Sequence, residues 1–151
     1  MEQQKLLNFL ADIYENQMPF DRLLGIKIDT LTMSEVKVRI DMREELVGNF
    51  IRGILHGGVI SSILDLTGGL VASVELLKSL EHKDLDEIRR RLGRVGTIDL
   101  RVDYLRGGKG KYFTATGSAL RKGNKVAVIR TELVNDKKTI IAAGTGTYLI
   151  G

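Results

Sequence analysis

The stretch from Val59 to Val74 constrains this chain most: sixteen residues in which Asp65 is the single charge. A surface helix would carry a polar stripe. Here Ser, Thr, Gly and Ala stand in its place, which is the composition of a helix enclosed by protein on most sides. Gly68 and Gly69 each cost about 1 kcal/mol against alanine inside a helix, so their presence means that packing requires small residues there. Whatever this chain folds into must wrap that helix.

The rest of the sequence supplies the wrapping. Leu6, Leu7, Leu10, Ile13 and Tyr14 recur every three or four residues and predict an N-terminal helix that ends before Pro19, the single proline. Residues 1–19 then belong to the same domain as residues 20–151. Residues 28–40 read as one strand, with Val36, Val38 and Ile40 alternating with Lys37 and Arg39. Residues 41–55 read mostly as loop. Residues 78–94 are strongly charged, with a thin apolar stripe of Leu85, Ile88 and Leu92, and predict a peripheral helical excursion. Beyond them the period is two. Ile98, Leu100, Val102 and Tyr104 alternate with polar neighbours, the glycine-rich turn Arg106–Lys111 follows, and strands run through Phe113–Ala119, Val126–Val134 and Ile140–Ile150. Arg121-Lys122-Gly123-Asn124-Lys125, between the first two of these, is a hairpin signal. The expected class is α+β: one long helix wrapped by a curved antiparallel sheet in meander order.

Composition removes several kinds of chemistry. The 151 residues fit one domain, large enough to bury a core without staples. There is no cysteine, so disulfides, thiolate zinc sites, cysteine-ligated clusters and a cysteine nucleophile are excluded. The net charge of +4 permits an anionic partner without selecting one. With no tryptophan and few other aromatics, platforms for stacking nucleic-acid bases are scarce. The opening MEQQKLLNFL shows neither a signal peptide nor a membrane anchor, and a cytoplasmic protein is expected. Two histidines, His56 and His82, are too few and too far apart for a convincing metal site. Gly107-Gly108-Lys109-Gly110-Lys111 has neither the glycine spacing nor the following Ser/Thr of a phosphate loop.

Chemistry concentrates between His56 and Asp65. Gly57-Gly58 directly precede the enclosed helix, whose first N–H groups have no internal acceptor. Glycines leave those groups open to an oxygen with developing negative charge, assisted by the helix dipole. The plainer alternative is a tight turn into the helix. Asp65 is costly to bury unless paired or functional; it could act as general base, as nucleophile, or as holder of a structural hydrogen bond. His56 could be a base, but beside two glycines at a helix mouth it is better suited to fixing the loop. Eight residues of helix put Gly57 and Asp65 roughly 12 Å apart. If both act on one carbonyl, one must come from a second subunit, which implies a two-fold dimer with sites at the interface.

These residues carry a resemblance. Gly53 and His56-Gly57-Gly58 in GILHGG, Asp65, GTIDLRVDYLR, Gly123 and the closing AAGTGTYLI are similar to the hotdog-fold acyl-CoA thioesterases of the phenylacetate-degradation (PaaI-like) type, over about residues 20–150. The whole chain, with its MPF segment and Gly48-Asn49, also resembles a narrower bacterial group of medium- and long-chain acyl-CoA thioesterases. The resemblance implies a hotdog fold, dimers joined sheet edge to sheet edge, and often a dimer of dimers. It implies that the Gly57 N–H polarises the thioester carbonyl and that Asp65 of the neighbour activates water or attacks. Thr97 would help position the water, and His56 would brace the glycine loop. The family often has an asparagine six residues before the histidine; here that position is Phe50, and Asn49, one residue earlier, is the candidate for its role.

The implied substrate is an acyl-CoA, with coenzyme A entering as part of the substrate and no further cofactor. Gly58 and the cations Arg89, Arg106, Lys109 and Lys111 are candidates to contact it, the cations through the CoA phosphates. Hotdog hydratases and dehydratases are the alternative enzymes, but they use a histidine actively, and His56 precedes the glycines. A non-catalytic acyl-CoA-binding module would leave Asp65 without a purpose.

Overall fold

In a computed structural model that describes residues 2–151, alternating apolar side chains build one six-stranded antiparallel sheet around one long helix. The elements are α1 (Glu2–Asp12), a π turn (Ile13–Gln17), α2 (Pro19–Leu24), β1 (Lys27–Leu31), β2 (Val36–Asp41), a 3₁₀ turn (Glu44–Leu46), α3 (Gly57–Lys78), α4 (Leu85–Leu92), β3 (Gly96–Tyr104), β4 (Tyr112–Lys122), β5 (Val126–Asn135) and β6 (Ile140–Leu149). Strand order is β1-β2-β4-β5-β6-β3. The inward residues of β2, Val36, Val38 and Ile40, and of β5, Ala127, Ile129 and Leu133, face α3. Ile63, Leu64 and Leu70 of α3 are fully enclosed. Each such side chain contributes about 1.5–3 kcal/mol relative to remaining in water. By length and hydropathy α3 could cross a membrane; here it is the core helix of the sheet.

Two expectations need correction. Residues 28–40 form two strands of a hairpin, not one. The Thr32 hydroxyl accepts from the N–H groups of Ser34 and Glu35 and Thr32 N–H donates to the Glu35 carbonyl, a side-chain-stabilised turn that the alternating pattern conceals. The sheet is also not a simple meander. β4, β5 and β6 follow one another, but β3 enters at the far side of β6, pairing Leu100 with Gly146 and Val102 with Gly144. Pro19 opens a short helix, α2, closed by Gly25 at φ 73°, a left-handed conformation suited to glycine.

The excursion contains α4, whose Ile88 is buried while Leu85 stays exposed. Among the described residues β3 pairs with β6 alone, so its other edge is open, with Ile98 57% exposed. An open strand edge presents unpaired backbone groups for another strand.

Candidate active site

The head of α3 is built by a close backbone approach. His56 N–H donates to the Leu46 carbonyl and Gly48 N–H to the Ile54 carbonyl, so the residues before α3 run against residues 46–48. A Cβ on Gly48 would lie 2.8 Å from His56 Cα, which is why glycine stands there. His56 is the N-cap: its Nδ1 accepts from Gly58 N–H at 2.7 Å. That bond fixes Nδ1 as the unprotonated nitrogen and places the ring proton of neutral His56 on Nε2. It also occupies the Gly58 amide. The Gly57 N–H has no hydrogen-bond partner among the described residues. Gly57 is therefore the glycine whose amide can receive a carbonyl oxygen, while its own carbonyl accepts from the Tyr104 hydroxyl at 3.2 Å.

Asp65 lies two turns further along α3. It is half-buried, not enclosed as the apolar run suggests, because it faces a cavity of about 240 Å³. Its Oδ1 accepts from Thr97 Oγ1 on β3 at 2.8 Å, so the strand that crosses to the far edge delivers Thr97 to the acid. The Tyr148 hydroxyl on β6 lies 3.0 Å from the Asp65 carbonyl oxygen and 3.3 Å from Oδ1. The pattern of glycines announces Tyr148: a Cβ on Gly68 would lie 2.1 Å from its hydroxyl, and one on Gly146 2.6 Å. Burial, then the charge and hydrogen bond of Asp65, push the Tyr148 phenol far above its ordinary range, so it remains a neutral donor. Among the described residues no donor reaches Asp65 Oδ2.

Sequence reasoning missed two members of this cavity, Tyr148 and Asp21 of α2. Burial and then Asp65 push the Asp21 carboxyl up to about 6. A second cavity of about 430 Å³ runs beside His56, Gly58 and Val59 and shares Phe20 and Ser62 with the first. The two make a divided cleft along one flank of α3, glycines at one end and Asp65 at the other.

The remaining candidates separate. Asn49 does not reach the site within this protomer: its Oδ1 accepts from Arg52 N–H at 3.2 Å and its carbonyl from Gly53 N–H at 2.8 Å, so it closes its own turn. Arg106, Lys109 and Lys111 lie on the glycine turn, which docks on the strand leading to His56 through Leu55 N–H and the Gly108 carbonyl. Arg52 Nη2 reaches the same turn, 3.1 Å from the Cβ position of Gly107. Arg89 lies elsewhere, stacked 5.2 Å from the Phe9 ring on α1. Among the described residues no cluster of three His, Asp or Glu could hold a metal ion.

A helix enclosed by an antiparallel sheet, with an open amide at its head and a single carboxylate oriented by hydroxyls two turns on, is the arrangement of a hotdog enzyme acting on thioesters. Residues 52–142 match the Thioesterase superfamily, and the chain belongs to that superfamily. It is 45% identical over 148 residues to the medium/long-chain acyl-CoA thioesterase YigI of Escherichia coli K12, covering 98% of this chain and 96% of that protein. YigI of Salmonella typhimurium is equally similar. A crystal structure of a Shewanella oneidensis protein related to the thioesterase superfamily superposes with a TM-score of 0.96 at 46% identity, covering 99% of this chain and 98% of that one. The Escherichia coli PaaI protein shares the fold, with a TM-score of 0.77 at 19% identity, covering 99% of this chain and 95% of that one.

Proposed function

We propose that this thioesterase hydrolyses medium- and long-chain acyl-CoA to free fatty acid and coenzyme A, with Asp65 as general base. The observation that carries this reading is the Asp65 carboxylate, held through Oδ1 by Thr97 and Tyr148, on a helix whose first amide is that of Gly57; among the described residues neither Asp65 Oδ2 nor the Gly57 N–H has a partner. Water attacks the thioester carbon as Asp65 takes one of its protons. The carbonyl electrons move to the oxygen, which the Gly57 amide and the positive end of α3 stabilise. The C–S bond then breaks, and the thiolate recovers the proton from Asp65.

Gly57 and Asp65 lie roughly 12 Å apart on one helix, too far to touch one small carbonyl together, which supports a site whose pair is drawn from two protomers. The open edge of β3 supports pairing of two sheets edge to edge, and a dimer of dimers is the assembly we propose in the cytoplasm. The phosphates of coenzyme A are assigned to the cations Arg106, Lys109 and Lys111 of the glycine turn, which docks on Leu55, one residue before His56. Arg89, packed on α1, is the weakest of the proposed contacts. The reaction as proposed needs no cofactor.

Thiol release from a panel of acyl-CoAs of increasing chain length, with Asp65→Asn beside the wild type, tests the proposal. Turnover concentrated on medium and long chains and lost in the variant is expected. Near-wild-type hydrolysis by Asp65→Asn would sink it.

A further inference from the structure

The proposed reaction leaves a second carboxyl in the same cavity without a task. Asp21 is 5% exposed, and its Oδ2 has no hydrogen-bond partner among the described residues. It forms no ion pair among those residues either. A buried carboxylate oxygen without a donor costs about 1–3 kcal/mol, a penalty that an asparagine or leucine would reduce. Its cavity is the one that Asp65, Thr97 and Tyr148 line. The Asp21 side chain therefore borders the place where the reaction above puts its water.

We propose that Asp21 is a further catalytic residue, and that Asp21 and Asp65 together seat the hydrolytic water, Asp65 taking one proton while Asp21 accepts a hydrogen bond from the other O–H. The inference rests on the hydrolytic reading above. A water molecule gives up one proton in the attack and keeps the second. With only one acceptor its oxygen swings about that hydrogen bond; a second acceptor directs its lone pair at the carbonyl carbon, and such positioning lowers the barrier. Asp65 Oδ1 is already occupied by hydroxyl donors, which leaves its Oδ2 for the first proton and the Asp21 carboxyl for the second. Asp21 neither gains nor loses a proton: after attack its partner is the new hydroxyl of the tetrahedral intermediate.

The titratable groups around Asp21 agree with an acceptor role. Tyr14 of the π turn and Asp65 of α3 and Tyr148 of β6 line the same cavity. Burial pushes the Tyr14 phenol up to about 12 and Tyr148 higher, so both stay neutral. The nearby cation Arg43 is engaged with the Leu23 and Leu24 carbonyls at the end of α2. A carboxyl that titrates at about 6 accepts best above that pH.

The test compares wild type, Asp21→Asn and Asp21→Leu on dodecanoyl-CoA from about pH 5 to 9, with and without methanol as competing nucleophile. Methanol has a single O–H and needs only Asp65. We expect Asp21→Leu to lower kcat by about 10- to 100-fold with KM within about twofold, and to raise the ratio of methyl ester to fatty acid several-fold. Asp21→Asn keeps an acceptor oxygen and most of the rate. Both variants lose the rise in kcat near pH 6 that the wild type shows. An unchanged kcat in Asp21→Leu would overturn the proposal, as would a lower kcat with the product ratio and pH profile of the wild type. If Asp21→Leu melts below the assay temperature, the pH profile of Asp21→Asn decides by itself. An inactive wild type would overturn the hydrolytic reading as well, whereas an active wild type with indifferent Asp21 variants would overturn this inference alone.

Discussion

The hydroxyl of Tyr148 stands 2.1 Å from the point that a Cβ on Gly68 would occupy, so the core helix is notched to admit the phenol that bonds to Asp65. Alanine at 68 gains about 1 kcal/mol of helix propensity but collides with the hydroxyl and two ring carbons of Tyr148, a residue that is 1% exposed. Overpacking of this kind costs about 1–3 kcal/mol. Gly68→Ala is therefore expected to melt lower and to lose kcat together, as Tyr148 is driven off Asp65. Tyr148→Phe in the same chain removes the closest contact and should restore part of the stability without restoring the rate. Thermal unfolding and thiol release on the two single variants and the double variant measure both effects. A Gly68→Ala protein with wild-type melting and turnover would show that the notch serves nothing.

That notch also shows what was legible in the sequence. Gly68-Gly69 told that something approaches α3 closely, but a period-two strand about eighty positions away could not say which side chain does it. The enclosed helix, its glycine head and its single acid follow from local composition and were readable. The place of β3 was not, because strand order depends on how α4 and its flanks return the chain to the far side of β6. Thr97 came forward only through the family resemblance, since nothing local distinguishes it from other strand threonines. Asp21 passed unnoticed because α2 reads as a few apolar residues around a polar pair. Only the fold shows that this residue is buried beside the cavity that Asp65 lines.

Thr97 and Tyr148 both donate toward Asp65 Oδ1, at 2.8 and 3.3 Å. Removing one donor lets the carboxylate rotate, while the other still restrains it. Thr97→Val is expected to lower kcat about tenfold with little change in KM, and Tyr148→Phe less, since its hydroxyl also serves the Asp65 backbone carbonyl. The double variant should fall by more than the product of the two single losses, because no restraint is left. Steady-state kinetics on the four proteins gives the coupling. Strictly multiplicative losses would mean that the two hydroxyls act independently.

His56 is expected to act as a cap and not as a base. Its Nδ1 takes the Gly58 amide at 2.7 Å, a role that an asparagine oxygen fills well at a helix N-terminus. His56→Ala should cost about 1 kcal/mol of stability and loosen the Gly57 loop, lowering kcat/KM. His56→Asn should recover most of both. If asparagine and alanine variants are equally inactive while asparagine restores the melting temperature, His56 takes part in the chemistry and the capping role is insufficient.

The last expectation concerns stability against pH. Asp21 titrates at 3.8 in an unfolded chain and at about 6 in the fold, with burial the main cause and Asp65 the second. Between those values the folded protein holds a proton that the unfolded chain has released. The stability this gives is complete below about pH 4 and is lost as pH rises through about 6, beyond which the loss is constant at about 2–3 kcal/mol. Asparagine at 21 never titrates. The melting temperature of Asp21→Asn should therefore exceed that of the wild type by an amount that is smallest near pH 4, grows up to about pH 6 and is level above it. Other carboxylates titrate in both proteins and cancel in the difference. Parallel melting curves of the two proteins across this range would mean that Asp21 is ionised in the fold at the same pH as in the open chain, and that a donor reaches its Oδ2 in solution.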